Sequence, residues 1–295
     1  MPKYRRFRDW CNENGVFNPS VEYPVAFGKH GHLVGMCAAR DVPPMSAFLY
    51  IPYNLTINEA NIRARSPEMC ELYDKHPEIF KKHYDAEYLR IIVYLWYEKS
   101  KGEESFWKPY LDIINFTDMP FLWSDEEMDE FQDAVLISNI KRYSVEFDEE
   151  FLKVYWMLHR NKYEHIIPGI SDYSRQAEFK EQYIWAFSSV VTRCFGWGLP
   201  CTTMVPFSDT INHHNVDSSY DLVKAEWKPI SYVEKMQRFP PEVEGFSPGI
   251  INKEPVDTNE NKPARQTDGG EESTTTTAAD TNANIQAQEE VKTED

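Results

Sequence analysis

Apolar positions recur along this chain with two different periods, and the change of period divides it. Over residues 56–160 they return every three or four residues, the pattern of helices with one buried face. Leu89, Ile92, Val93 and Trp96 mark one such face, and Phe151, Val154, Tyr155 and Leu158 another. Ser124 followed by Glu127 is a capping box, which predicts a further helix start there. A last helix carries Phe179, Tyr183, Phe187, Val190, Val191 and Cys194 on one side, and Gly196 and Gly198 are expected to stop it. Ahead of this block the pattern is strand-like. Residues 30–39 and the run from Phe48 to Pro52 are β-prone and joined by a turn at Pro43-Pro44, while residues 4–27 read as a short helix followed by loop. Trp96, Trp107 and Trp123 are expected in the core, because aromatics at helical spacing more often pack than bind.

After the last helix a short apolar run, Met204 to Phe207, delivers Asp209, Asn212, His213 and His214. Few polar groups converging on rigid elements are what small-molecule pockets use. The same residues also favour turns, through side-chain to backbone hydrogen bonds, so the residues alone leave both readings open.

Composition narrows the partners. A formal charge of −17, from 31 basic and 48 acidic residues, opposes a phosphate backbone and argues against nucleic-acid binding, while suiting a basic, lysine-bearing substrate. No run approaches the roughly eighteen apolar residues of a membrane span, and MPKYRRFRDW lacks the apolar core of a signal peptide. Five scattered cysteines without C-x-x-C pairs suit reduced thiols in the cytoplasm or nucleus, with no disulfide and no metal site expected. His30 and His32 read as solvated loop residues rather than metal ligands. From Ile251 to Asp295 there is no aromatic, Leu or Met, and 11 acidic residues face 4 basic ones; such a segment cannot offset its chain entropy by burial and is expected to be a disordered acidic tail.

The run from Trp185 to His213 resembles the centre of the SET domain, in the branch that includes the Rubisco large-subunit lysine methyltransferase. There a helix ending in a Ser/Thr-Arg pair, here Thr192-Arg193, precedes a VPxxDxxNH segment, here Val205 to His213. Ser105 to Leu111 resembles the S-x-W-x-P-Y-L segment of the same branch, and the Gly35 strand with Arg40-Asp41 resembles the opening of the domain. The resemblance spans residues 5–215. It implies an α+β fold: N-terminal strands over 5–57, a helical insert over 58–175, and a helix with the Asn-His motif over 176–215. Short strands are expected within 30–57 and 200–212. Residues 216–250 form an irregular segment or insertion, so the SET domain is expected to be cut short or interrupted, with the tail over 251–295.

The same resemblance implies S-adenosyl-L-methionine as cofactor and methyl transfer to a protein lysine. Gly35, Thr192, Arg193, Asp209, Asn212 and His213 occupy its cofactor-contact positions. An unbranched Gly35 would let the ligand approach the strand backbone closely. For Arg193 a structural ion pair with Asp209 is the alternative. Two departures stand out. His32-Leu33 replaces the acidic residue and first glycine of the family's opening strand, and the family's acidic segment ending in Tyr-Gly is not visible; Tyr232 is the sole candidate to stand in for its tyrosine. A non-catalytic SET-like interaction module is therefore the alternative to an enzyme.

Overall fold

The computed structural model describes residues 1–28, 31, 33–43, 47–80, 86–115, 118–196, 199 and 201–212. Helix α1 (Pro2–Glu13) opens the chain, followed by strands β1 (Val21–Phe27) and β2 (Leu33–Ala38). The helical block comprises α2 (Glu59–Arg65), α3 (Pro67–Lys75), α4 (Pro77–Phe80), α5 (Ala86–Ser100), α6 (Lys108–Leu111), α7 (Asp125–Asp129) and α8 (Ala134–Arg160). Helix α9 (Gln176–Arg193) then leads into β3 (Cys194–Phe195) and β4 (Thr203–Met204). The α+β character is as expected, with helices dominating and the strands short.

Helix α5 is the centre of this arrangement. Its spacing predicts one buried face, yet every residue from Ile91 to Glu98 is buried, so other elements cover it all round. Trp96 stands edge-on to Tyr183 of α9, ring centroids 5.6 Å apart, and its indole N–H donates to Gln182 at 2.9 Å. Phe151 and Tyr155 bring α8 onto the same cluster, with Phe151 5.4 Å from Tyr183. The predicted faces of α8 and α9 are accordingly buried, except that Val191 is 37% exposed and Cys194, just past the helix, is half-buried. The capping box is present: Ser124 accepts from the Glu127 N–H and Glu127 accepts from that of Ser124. Trp96 and Trp107 are core residues. Trp123 is not; it is half-buried, stacks on Phe131 and donates to Asp118.

The strands depart from expectation at three places. The segment read as loop contains β1, which pairs antiparallel with β2 from Val21↔Ala38 to Phe27↔Leu33. Pro24 falls within the register shift between Glu22 and Val25, where a missing N–H costs no ladder bond. Among the described residues the Phe48 to Pro52 run makes only an isolated bridge, Phe17↔Tyr50. At the other end α9 stops at Arg193 rather than at the glycines, because Cys194 turns extended to pair with Met204. Among the described residues of 200–212 the only strand is β4, whose Met204 also exchanges backbone hydrogen bonds with Ile57. Those pairings fix the start of the polar segment against the N-terminal part of the fold. No helix among the described residues is long and apolar enough to cross a membrane. The segments over 216–250 and 251–295 lie outside the described residues.

Candidate functional site

The polar segment begins at an anchor. Phe207 is fully buried and packs against Phe7 of α1 and Tyr23 of β1, with ring centroids 6.2 and 5.3 Å away. It adopts φ 78°, a left-handed conformation unusual for a residue with a bulky side chain. Such a backbone persists only where surrounding packing over-determines it, and it commonly accompanies functional sites. The reversal at Phe207 starts the short 3₁₀ turn Ser208–Thr210 and drives the Asp209 side chain inward.

Asp209 carries a buried carboxylate, its side chain 1% exposed. One oxygen, Oδ2, accepts from the Tyr110 hydroxyl at 2.7 Å and from Arg193 Nη1 at 3.1 Å; Nη1 also donates to the Asp209 carbonyl at 3.3 Å. The other oxygen, Oδ1, is buried with no hydrogen-bond partner among the described residues. Burial pushes the Asp209 carboxyl above the ordinary carboxylate range, against the pull of Arg193 and Tyr110 toward the charged form. The alternative reading of Arg193, an ion pair with Asp209, is what the structure contains. That pair leaves part of the guanidinium open. Among the described residues the hydrogen bonds of Arg193 run through Nη1, and its side chain is 21% exposed, which leaves Nε and Nη2 for an anion.

Asn212 makes the second connection. Its Nδ2 donates to the Met36 carbonyl on β2 at 2.8 Å, and its side chain lies across Gly35. A Cβ at Gly35 would stand 1.8 Å from Asn212 Oδ1. The glycine therefore leaves room for a side chain of the motif segment at that point. Strand β2 pairs only with β1 among the described residues, so its other edge offers backbone groups beside Asn212.

Of the expected site residues, Arg193 and Asp209 meet directly, and Gly35 and Asn212 meet directly. Thr192 is turned away: its hydroxyl donates to the Ser188 carbonyl one helical turn back, at 2.6 Å. His213 and Tyr232, like His30 and His32, lie outside the described residues. Tyr110 is the member that residue patterns missed. Its only signal was its place in the Ser105 to Leu111 segment, 99 positions from its partner.

No family model matches the chain. It is 27% identical over 216 residues to the chloroplastic fructose-bisphosphate aldolase-lysine N-methyltransferase of Arabidopsis thaliana, covering 71% of this chain and 39% of that protein. Against the chloroplastic ribulose-1,5-bisphosphate carboxylase/oxygenase large subunit N-methyltransferase of Pisum sativum it is 26% identical over 214 residues, covering 72% and 39%. The chain thus spans about two fifths of the length of these curated relatives. Among solved structures it resembles the SET domain of LSMT bound to lysine and AdoHcy, with a TM-score of 0.56 and 26% identity over 75% of this chain and 45% of that one. Rubisco LSMT bound to sinefungin and monomethyllysine gives the same score and identity, covering 75% and 47%. The Val205–Asn212 segment, its docking onto the glycine strand and these relatives together give the chain a SET-domain fold, similar to that of the Rubisco large-subunit lysine methyltransferases.

Proposed function

We propose that this chain binds S-adenosyl-L-methionine and serves protein-lysine N-methylation. The observation that carries the reading is the meeting of Asn212 with β2 at Gly35, which joins the motif segment to a strand that pairs on one edge only among the described residues. The residues suit the cofactor. Arg193, with donors left over from its pair with Asp209, would hold a carboxylate, and Asn212 with the β2 edge would hold polar groups of the nucleoside or amine. His213 would join them from the following position. Thr192 would act only through its backbone. When bound, the cofactor supplies a sulfonium methyl that a neutral lysine amine can accept in line. The chain's own part is to fix orientation and exclude water, which suits a reaction limited by alignment and desolvation. Lysine must also lose its proton, since its ordinary value near 10.4 keeps it charged at neutral pH.

The substrate in this reading is a protein lysine, and the net charge of −17 favours a basic partner. Five unpaired cysteines support a reducing compartment, the cytoplasm or nucleus. The test is calorimetric titration of S-adenosyl-L-methionine into the full chain and into Asn212→Ala, followed by transfer of a labelled methyl group to protein. Saturable binding lost in the variant is the expected result. No binding by the folded chain would overturn the reading, and binding without transfer would leave the interaction module in its place.

A further inference from the structure

Helix α6 lies in the helical insert, far along the chain from the motif, yet it supplies the Tyr110 hydroxyl that reaches Asp209. We propose that Tyr110 is a positioning residue for the cofactor site: its O–H, donated to Asp209, holds the carboxylate in place and thereby sets the guanidinium of Arg193. The inference rests on the proposed function, because it assigns Arg193 to the cofactor carboxylate.

The leverage comes from how few groups hold Asp209. Its Oδ1 has no partner among the described residues, so the side-chain donors on this buried carboxylate are Tyr110 and Arg193 alone. The remaining titratable neighbours offer no charge to compensate. Cys11 of α1, Tyr23 of β1 and Cys194 of β3 all face Asp209, and burial together with the Asp209 charge holds all three protonated. Burying a carboxylate with inadequate partners favours its neutral form. Removing the Tyr110 hydroxyl leaves Arg193 as the single side-chain donor beside the Asp209 backbone N–H, and protonation of Asp209 would then leave Nη1 held by the Asp209 carbonyl alone and loosen the fork. Tyr110 itself is immobile: it is fully buried and lies 5.7 Å from the Phe7 ring, so it can place the carboxylate accurately.

A positioning role of this kind has a signature in pH. In Tyr110→Phe the carboxyl of Asp209 titrates higher than in the unmodified chain, so the protonated form gains at the acidic end of the range. The ion pair with Arg193 returns as pH rises. A hydroxyl that only stabilised the fold would weaken binding equally at every pH.

The experiment is calorimetric titration of S-adenosylhomocysteine into the full chain between pH 6 and pH 9, on unmodified protein, Tyr110→Phe, Asp209→Asn and the double variant. Expected is affinity about tenfold weaker in Tyr110→Phe at the acidic end, recovering toward the alkaline end. In the Asp209→Asn background the Tyr110 substitution should change little, because the effect passes through that carboxylate. Unmodified protein that does not bind overturns the functional reading and this inference with it. Unmodified protein that binds, with a Tyr110→Phe profile parallel to its own, overturns the inference alone. If Tyr110→Phe fails to fold by thermal melting, Asp209→Asn decides: affinity equal to the unmodified chain sinks the positioning role, and a loss at all pH values supports it.

Discussion

The amide of Asn212 takes the place that a side chain on Gly35 would need, and the same amide donates to the Met36 carbonyl next door. One glycine and one asparagine, 177 positions apart, thus depend on each other. Gly35→Ala should therefore act through Asn212. Asn212 lies at the exposed end of the motif segment, so its side chain can swing away, and the fold should lose only about 1 kcal/mol, the worth of one hydrogen bond. Cofactor binding should fall as far as in Asn212→Ala. Thermal melting beside calorimetry separates the two effects, and an alanine variant that melts normally and binds normally would remove Asn212 from the site.

How far this relationship was readable beforehand depends on the distance in sequence it spans. Features set by neighbours within a turn were legible: the buried faces of α8 and α9, the Ser124 capping box, the Gly35 strand. So was the Asn-His motif, through its resemblance. Strand β1 was hidden because Pro24 argues against a strand, and only the register shift opposite β2 admits it. The all-round burial of α5 and the inward turn at Phe207 come from tertiary packing, which no local spacing encodes. The contacts of Asp209 with Tyr110 and of Asn212 with Met36 are of the same kind.

Lys99 should be the most reactive lysine among the described residues. Lys99 is exposed as a residue, but its Nζ lies 3.5 Å from the centre of the Trp185 ring, and local desolvation there pulls its pKa down to about 8. The indole face favours the cation and limits that descent. A group with a lowered folded value binds fewer protons than the unfolded chain between about pH 8 and its ordinary value. Its burden on stability is thus fullest below pH 8 and fades as pH rises. Lys99→Met should raise the melting temperature at pH 7 and lose that advantage by pH 10. Brief acylation at pH 8, mapped by mass spectrometry, should mark Lys99 ahead of the other described lysines; slow labelling there would contradict desolvation of the ammonium by Trp185.

Two of the five thiols should be silent. Cys11 is fully buried, and burial, helped by the charge of Asp209, holds both Cys11 and Cys194 far above the ordinary thiol range. The thiolate is the reactive form. Cys37, Cys70 and Cys201 are partly buried, as Cys194 is, and what sets Cys194 apart is the desolvation of its thiol and the Asp209 charge beside it. A thiol-disulfide reagent should therefore titrate three cysteines in the native chain and five after denaturation. Rapid labelling of Cys194 would mean that the surroundings of Asp209 are open to solvent.

Ser105 holds together the segment that presents Tyr110. Its hydroxyl donates to Glu98 Oε2 at 2.6 Å and accepts the Trp107 N–H at 3.1 Å, and Lys101 donates to the other oxygen of Glu98 at 2.7 Å. Glu98 is 4% exposed, so this carboxylate depends on its partners. Ser105→Ala takes away one of the donors to Glu98 and leaves the Trp107 N–H without its acceptor, a loss of about 2 kcal/mol for a hydrogen bond to a charged group. Ser105→Thr keeps the hydroxyl and should retain most of the stability. Trp107 donates its indole N–H to Tyr94 at 2.8 Å and lies fully buried, so the loosened turn will shift the start of α6. If α6 carries the cofactor site as inferred, Ser105→Ala should also weaken S-adenosylhomocysteine binding, by less than Tyr110→Phe does. Denaturant unfolding gives the first number and calorimetry the second. A destabilised Ser105→Ala with unchanged affinity would show that α6 holds Tyr110 in place without help from the turn before it.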